Sequence, residues 1–187
     1  MAPLGTLAVG VAFLLDAVVG EPPESVHPIA RLGQAIGAFD RQFSHPKLVG
    51  TTIALLFPLG FAVLAGGPVW LLGHSNALLS GLLAGVILFT MVSLEMLTGL
   101  TIDVIEATES DLERARREVI GLVGRDTDTL SAADIRSAAV ESLAENLADG
   151  LVGPLLAFAL GSLISLPVGV GAAAWVKGGN TLDSMVG

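Results

Sequence analysis

The strongest constraint on this chain is where its charges are missing. From Leu48 to Leu94, and again from Gly150 to Val176, there is no Asp, Glu, Lys or Arg. A helix needs roughly 20 apolar residues to cross the ~30 Å hydrocarbon core of a bilayer, so each stretch is long enough to enter one. A buried helix of a soluble domain seldom requires so long an uncharged run. Composition agrees, with 52% hydrophobic residues, 14% charged residues and a mean hydropathy of +0.76. The sequence is read as all-α: a multi-pass integral membrane protein with amphipathic helices in a cytoplasmic loop.

Residues 1–187 are taken as a single membrane domain. The first span is expected over about 3–19, with Asp16 near its end. It lacks a basic n-region and a small-residue cleavage site, which argues against a signal peptide. Gly73-His74-Ser75-Asn76 supplies the residues of a tight connection, dividing the longer run into helices at about 48–72 and 77–99, with Glu95 near the end of the second. The last run, 150–176, fits either one span or a re-entrant hairpin broken near Pro167, Gly169 and Gly171. Proline disfavours a helical residue before it, and glycine lowers the cost of a turn. About thirteen residues on each side are too few to cross as helices but enough to dip and return.

Between Thr101 and Asp149 the character changes to a polar helical segment, with twelve of the chain's 18 acids and five of its 9 basic residues. Ser110-Asp-Leu-Glu113 reads as a capping box, and Leu112, Ala115, Val119 and Leu122 recur at helical spacing. Gly124-Arg125-Asp126-Thr127 breaks that helix. Ser131-Ala-Ala-Asp134 opens another, expected to run to about Asp149-Gly150. Arg31, Arg41, Lys47 and the basic residues of the long segment fall on one side of the spans, which the positive-inside rule makes cytoplasmic. The expected location is thus the cell membrane, multi-pass, with the polar motifs facing the cytoplasm.

The absence of cysteine excludes disulfides, thiolate catalysis and cysteine-based zinc sites. His27, His45 and His74 form no HExxH-type pair, and a net charge of −9 argues against a nucleic-acid surface. The helix from about Ala132 to Asp149 carries the densest chemistry. At 100° per residue, Glu141, Ser142, Glu145, Asn146 and Asp149 share an arc of about 140°, with Val140, Leu143, Ala144, Leu147 and Leu151 opposite. Carboxylates at that spacing repel one another, and a hard cation such as Mg²⁺ would relieve the repulsion. A solvated acidic face accounts for the same pattern. Arg125 offers a planar fork to a phosphate or carboxylate, or else pairs with Asp126 beside a capping Thr127. His27-Pro28 follows Gly20-Glu-Pro-Pro in a proline-stiffened loop, and Asn180-Thr-Leu-Asp183 places polar groups after a glycine pair.

Together these pieces resemble one family, the adenosylcobinamide-phosphate synthases (CbiB/CobD) of cobalamin biosynthesis. Asp16, Gly20-Glu-Pro-Pro and His27-Pro28 look like its D…GxPxxxHP signature. Ala115-Arg116, Val123-Gly124-Arg125-Asp126-Thr127 and Leu130 look like its AR…VGRDT…L segment. Ala139-Val-Glu-Ser-Leu-Ala-Glu-Asn146 with Asp149-Gly150 and Pro154-Leu155 is similar to AxExxAENxxDGxxxPL, and Asn180 to Gly187 reads NTLDSMVG. The signatures occur in order along the whole chain.

The resemblance implies a ligase that joins a propionate carboxylate of adenosylcobyric acid to (R)-1-aminopropan-2-ol or its O-phosphate, with ATP and Mg²⁺. It implies catalytic roles for Glu141, Glu145, Asn146 and Asp149, the three acids being candidate metal ligands. Substrate or phosphate binding is implied for His27, Arg125, Asp126, Thr127, Lys177, Asn180 and Asp183. Its implied partners are small molecules and the lipid bilayer, with no nucleic acid. It also implies a C-terminal portion beyond Gly187, or a companion chain. No Walker-type GxxxxGK[ST] is present, so nucleotide use rests on the resemblance. A non-catalytic membrane regulator or sensor of the same architecture would need the apolar segments without the clustered carboxylates. A small transporter subunit would use Asp16 and Glu95 as pathway residues.

Overall fold

A computed structural model of the chain describes residues 2–20, 31, 46–92, 94–120, 122, 127 and 129–186. The described elements are all helical, as the apolar patterning requires: α1 (Ala2–Val19), α2 (Pro46–Gly73), α3 (Ala77–Phe89), α4 (Leu94–Ser110), α5 (Leu112–Val119), α6 (Ala132–Leu147), a π-helical turn (Ala148–Val152), α7 (Gly153–Ser162) and α8 (Leu166–Val186). They gather into two compact units, one of Met1–Ser93 with Asp149–Gly187 and one of Leu94–Ala148.

In the first unit, small residues let helix backbones approach closely. Helix α1 lies on α3 at Gly85, where a Cβ would come within 2.6 Å of Val11 Cβ and 2.8 Å of the Ala8 carbonyl oxygen. Ala8, Ala12, Ala84 and Leu88 are fully buried around that crossing. Helix α1 ends at Gly20, whose φ of 69° only glycine adopts readily and whose amide donates to the Asp16 carbonyl at 3.0 Å. The α2–α3 connection falls at the expected place. The amide of Asn76 donates to the Leu72 carbonyl, and its side-chain oxygen accepts from the Leu79 amide at 3.0 Å, capping α3. Ser80 then ties the two helices by donating to the buried carbonyl of Val69 at 2.8 Å.

Two expectations about helix limits are corrected here. The helix read over 77–99 stops at Phe89, because the amides of Met91 and Val92 bond to Leu88 and Phe89, three residues back, and tighten the last turn out of α geometry. Glu95 therefore belongs to a new helix, α4. The last apolar run does turn back on itself, but earlier than proline and glycine suggested. The turn is Leu163-Ile164-Ser165, with the Ile164 and Ser165 amides on the Gly161 carbonyl. Pro167 sits in the first turn of α8, where a missing amide costs nothing. Gly169 and Gly171 serve as contacts: a Cβ on Gly169 would lie 2.8 Å from the Phe158 carbonyl oxygen, and one on Gly171 would lie 3.3 Å from that of Ala62. Helix α8 is thereby wedged between α7 and α2.

Helix α2 is 28 residues long and leaves Leu55, Leu56, Leu59, Val63, Leu64 and Leu71 exposed. Two helical runs, Lys47–Gly73 and Ala132–Ser162, are long and apolar enough to cross a bilayer. Both associate this chain with a membrane only by length and composition.

The second unit packs α4, α5 and α6 around Val104, Ala107, Ala115, Val119, Ile135, Ala138 and Ala139. Leu112 and Leu122 flank that core, as their periodicity predicts. The capping box at Ser131 is present, with the Asp134 amide on Ser131 Oγ and the Ser131 amide on the Asp134 carboxylate. At the start of α5 the cap is Asp111, not Ser110: Asp111 Oδ1 accepts from the Arg114 amide at 3.0 Å while Ser110 ends α4. Glu113 is then free to pair with Arg116 at 2.6 Å.

Candidate functional site

In the Leu94–Ala148 unit, the motif residues divide between scaffold and open surface. Arg116 donates through Nε and Nη2 to the Leu130 carbonyl at 3.0 and 2.9 Å, and Thr127 Oγ1 donates to the Arg116 carbonyl at 3.0 Å. Thr127 is only 2% exposed, so its hydroxyl serves the fold of this segment. On α6 the buried residues are Ile135, Ala138, Ala139 and Ser142, at i, i+3, i+4 and i+7. That corrects the expected division of the helix. Ser142 turns inward and donates to the Leu122 carbonyl at 2.7 Å, while Val140 and Ala144 are exposed. Small side chains allow this, since the core needs close approach rather than bulk. Asn146 donates to the carbonyl of Ser142 at 2.8 Å and to its hydroxyl at 3.2 Å. Glu141 and Glu145 are exposed one turn apart. On α5, Glu118 bonds Arg114 at 2.7 Å and pushes that guanidinium still further up.

In the other unit, two motifs distant in sequence meet. Helix α6 closes at Leu147, and the expected end at Asp149-Gly150 falls in the π turn that precedes α7. Asn180 Nδ2 donates to the main-chain carbonyl of Asp149 at 2.6 Å. A Cβ on Gly150 would lie 3.5 Å from Lys177 Nζ, so the ammonium lies beside the same turn. Asp183 is exposed one turn beyond Asn180. Thr181 Oγ1 donates to the Lys177 carbonyl at 2.9 Å. Asp16 of α1 is 4% exposed. His27, Arg125 and Asp126 lie outside the described residues.

Among the described residues, no group of three His, Asp or Glu side chains converges on one point. Two contributions escaped the reading from sequence, Arg116 as a clamp and Ser142 as a buried tether. Ser142 could have been found from its spacing to Ile135, Ala138 and Ala139.

A model of the CobD/CbiB protein family matches residues 9–187. The chain belongs to the CobD/CbiB family. Among curated relatives, the probable cobalamin biosynthesis protein CobD of Methanothermobacter thermautotrophicus is 31% identical over 95% of this chain and 56% of its own length. The corresponding protein of Methanothrix thermoacetophila is 32% identical over 95% of this chain and 58% of its own. The cobalamin biosynthesis protein CobD of Geobacter metallireducens is 34% identical over 94% of this chain and 55% of its own. The chain thus spans a little over half the length of these CobD/CbiB relatives. No solved structure matches it.

Proposed function

We propose that this chain carries out, or forms part of the enzyme for, attachment of (R)-1-aminopropan-2-ol or its O-phosphate to a propionate carboxylate of adenosylcobyric acid. One observation carries the reading: Asn180 and Asp149, from two separate family signatures, are hydrogen-bonded at 2.6 Å beside Lys177. The reaction is an ATP-dependent ligation. Transfer of the γ-phosphoryl group to the propionate breaks the phosphoanhydride and makes the carboxylate a competent acyl donor. Attack by the amine nitrogen forms the amide and expels inorganic phosphate. The amine must lose a proton, and the exposed carboxylates Glu141 and Glu145 are suited to accept it, with Asn146 oriented by Ser142.

Lys177 supplies a compact cation for phosphate, and Asp183 and Asn180 supply polar contacts beside it. The resemblance adds His27, Arg125 and Asp126 to substrate or phosphate binding. Mg²⁺ would come as the companion of the ATP phosphates, and the resemblance offers Glu141, Glu145 and Asp149 as its candidate ligands.

In this reading the protein is a multi-pass membrane enzyme with its polar motifs in the cytoplasm, where ATP is. The exposed leucines of α2 support a lipid-facing surface. The turn at Leu163-Ile164-Ser165 and the Asn180–Asp149 hydrogen bond support a re-entrant hairpin whose two ends, Asp149 and Asn180, stay on one side.

The deciding experiment is complementation on adenosylcobyric acid in a host lacking its own enzyme, with the gene extended past Gly187 wherever its locus continues. Wild type should restore corrinoid amidation, and Glu145→Gln should abolish it without loss of membrane insertion. Normal growth of Glu145→Gln would return the acidic face to a solvated surface.

A further inference from the structure

The hydrogen bond between Asn180 and Asp149 has a cause one turn away. In a π-helical turn each carbonyl accepts from the amide five residues on. For Asp149 that residue is Pro154, which has no amide hydrogen. In regular α geometry the ring of Pro154 would instead clash with the carbonyl of Gly150, four residues back, so a wider turn at Ala148–Val152 is the conformation that admits this proline. Pro154 is among the fully buried residues, which holds the ring in place. The π register asks the Asp149 carbonyl to accept from position 154, which carries no amide hydrogen, and Asn180 Nδ2 reaches that carbonyl at 2.6 Å. Asn180 comes from α8, which is held against α2 where a Cβ on Gly178 would lie 3.3 Å from Pro58 Cα.

We propose that Pro154 and Asn180 form a coupled pair in which Asn180 is a positioning residue: it fills the carbonyl that Pro154 leaves open and so fixes the π turn carrying Asp149 next to Lys177. The role rests on the reaction proposed above, although the clamp itself does not. Asn180 acts through a donated hydrogen bond to the main chain, without touching a reacting atom. An aspartate of the same shape cannot make that bond, because an ionised carboxylate only accepts.

The test compares wild type, Asn180→Ala, Asn180→Asp, Pro154→Ala and Asn180→Ala/Pro154→Ala as full chains in detergent. Amide hydrogen exchange is followed over residues 148–153, and amidation kinetics are followed in the same preparations. Loss of one hydrogen bond at a constrained turn should speed exchange there by about fivefold in Asn180→Ala and in Asn180→Asp. Pro154→Ala restores a main-chain donor, so the double variant should regain protection relative to Asn180→Ala. A displaced Asp149 should lower kcat about tenfold or more with KM little changed. Unchanged exchange in Asn180→Ala, or equal exchange in Asn180→Ala with and without Pro154→Ala, overturns the pairing. Faster exchange in the variants while wild type shows no amidation supports the clamp and removes only the proposed reaction.

Discussion

Two guanidinium nitrogens of Arg116 converge on a single acceptor, the Leu130 carbonyl, at 3.0 and 2.9 Å. The main-chain carbonyl of the same arginine receives the Thr127 hydroxyl at 3.0 Å, and its third nitrogen pairs with Glu113 at 2.6 Å. Arg116 thus fastens α5 to the residue that precedes the cap of α6.

Replacement by lysine keeps the charge and loses the fork. Arg116→Lys should destabilise the Leu94–Ala148 unit by about 1–2 kcal/mol, and Arg116→Ala by more. Denaturant titration followed by circular dichroism measures this. Equal stability of wild type and Arg116→Lys would mean that a single charge, not the paired geometry, holds Leu130.

The caps make a sharper contrast. Ser131→Ala and Asp111→Ala should each cost about 1 kcal/mol, whereas Ser110→Ala should stay within about 0.5 kcal/mol of wild type. The same titration distinguishes them, and a large loss in Ser110→Ala would restore the cap read from the sequence.

Close approach of α1 and α3 depends on Gly85. Gly85→Ala should destabilise by about 1–3 kcal/mol, because its Cβ meets Val11 and the Ala8 backbone, neither of which is a flexible side-chain end. Gly60→Ala is the control, with nothing within 4 Å of its Cβ, and helix propensity should make it neutral or stabilising by up to about 1 kcal/mol. Heat inactivation of the two variants in detergent should rank them on opposite sides of wild type.

Cysteines at Ser110, Ser131 and Ser184 report the sidedness of the polar segments, in a chain that has no cysteine of its own. All three should resist a membrane-impermeant maleimide in intact cells and react after lysis. Labelling at position 184 alone would establish a crossing by 150–176 and remove Asn180 and Asp183 from the proposed site.

Helix content, the 73–76 connection and the Ser131 cap were legible because each depends on neighbours in sequence: hydrophobic runs, turn-forming side chains, a hydroxyl three residues from a carboxylate. The family signatures were legible for the same reason. Tertiary structure decided what a residue's neighbours along the chain cannot. Glycines 169 and 171, which locally favour a turn, became contact surfaces because α7 and α2 leave no room for a Cβ. Ser142, polar by type, went inward because the Leu122 carbonyl needed a donor there. Pro154 shows both levels at once. Its missing amide is written in the sequence, but which donor answers the carbonyl thereby left open depends on a helix that returns 31 residues later, bringing Asn180 to Asp149.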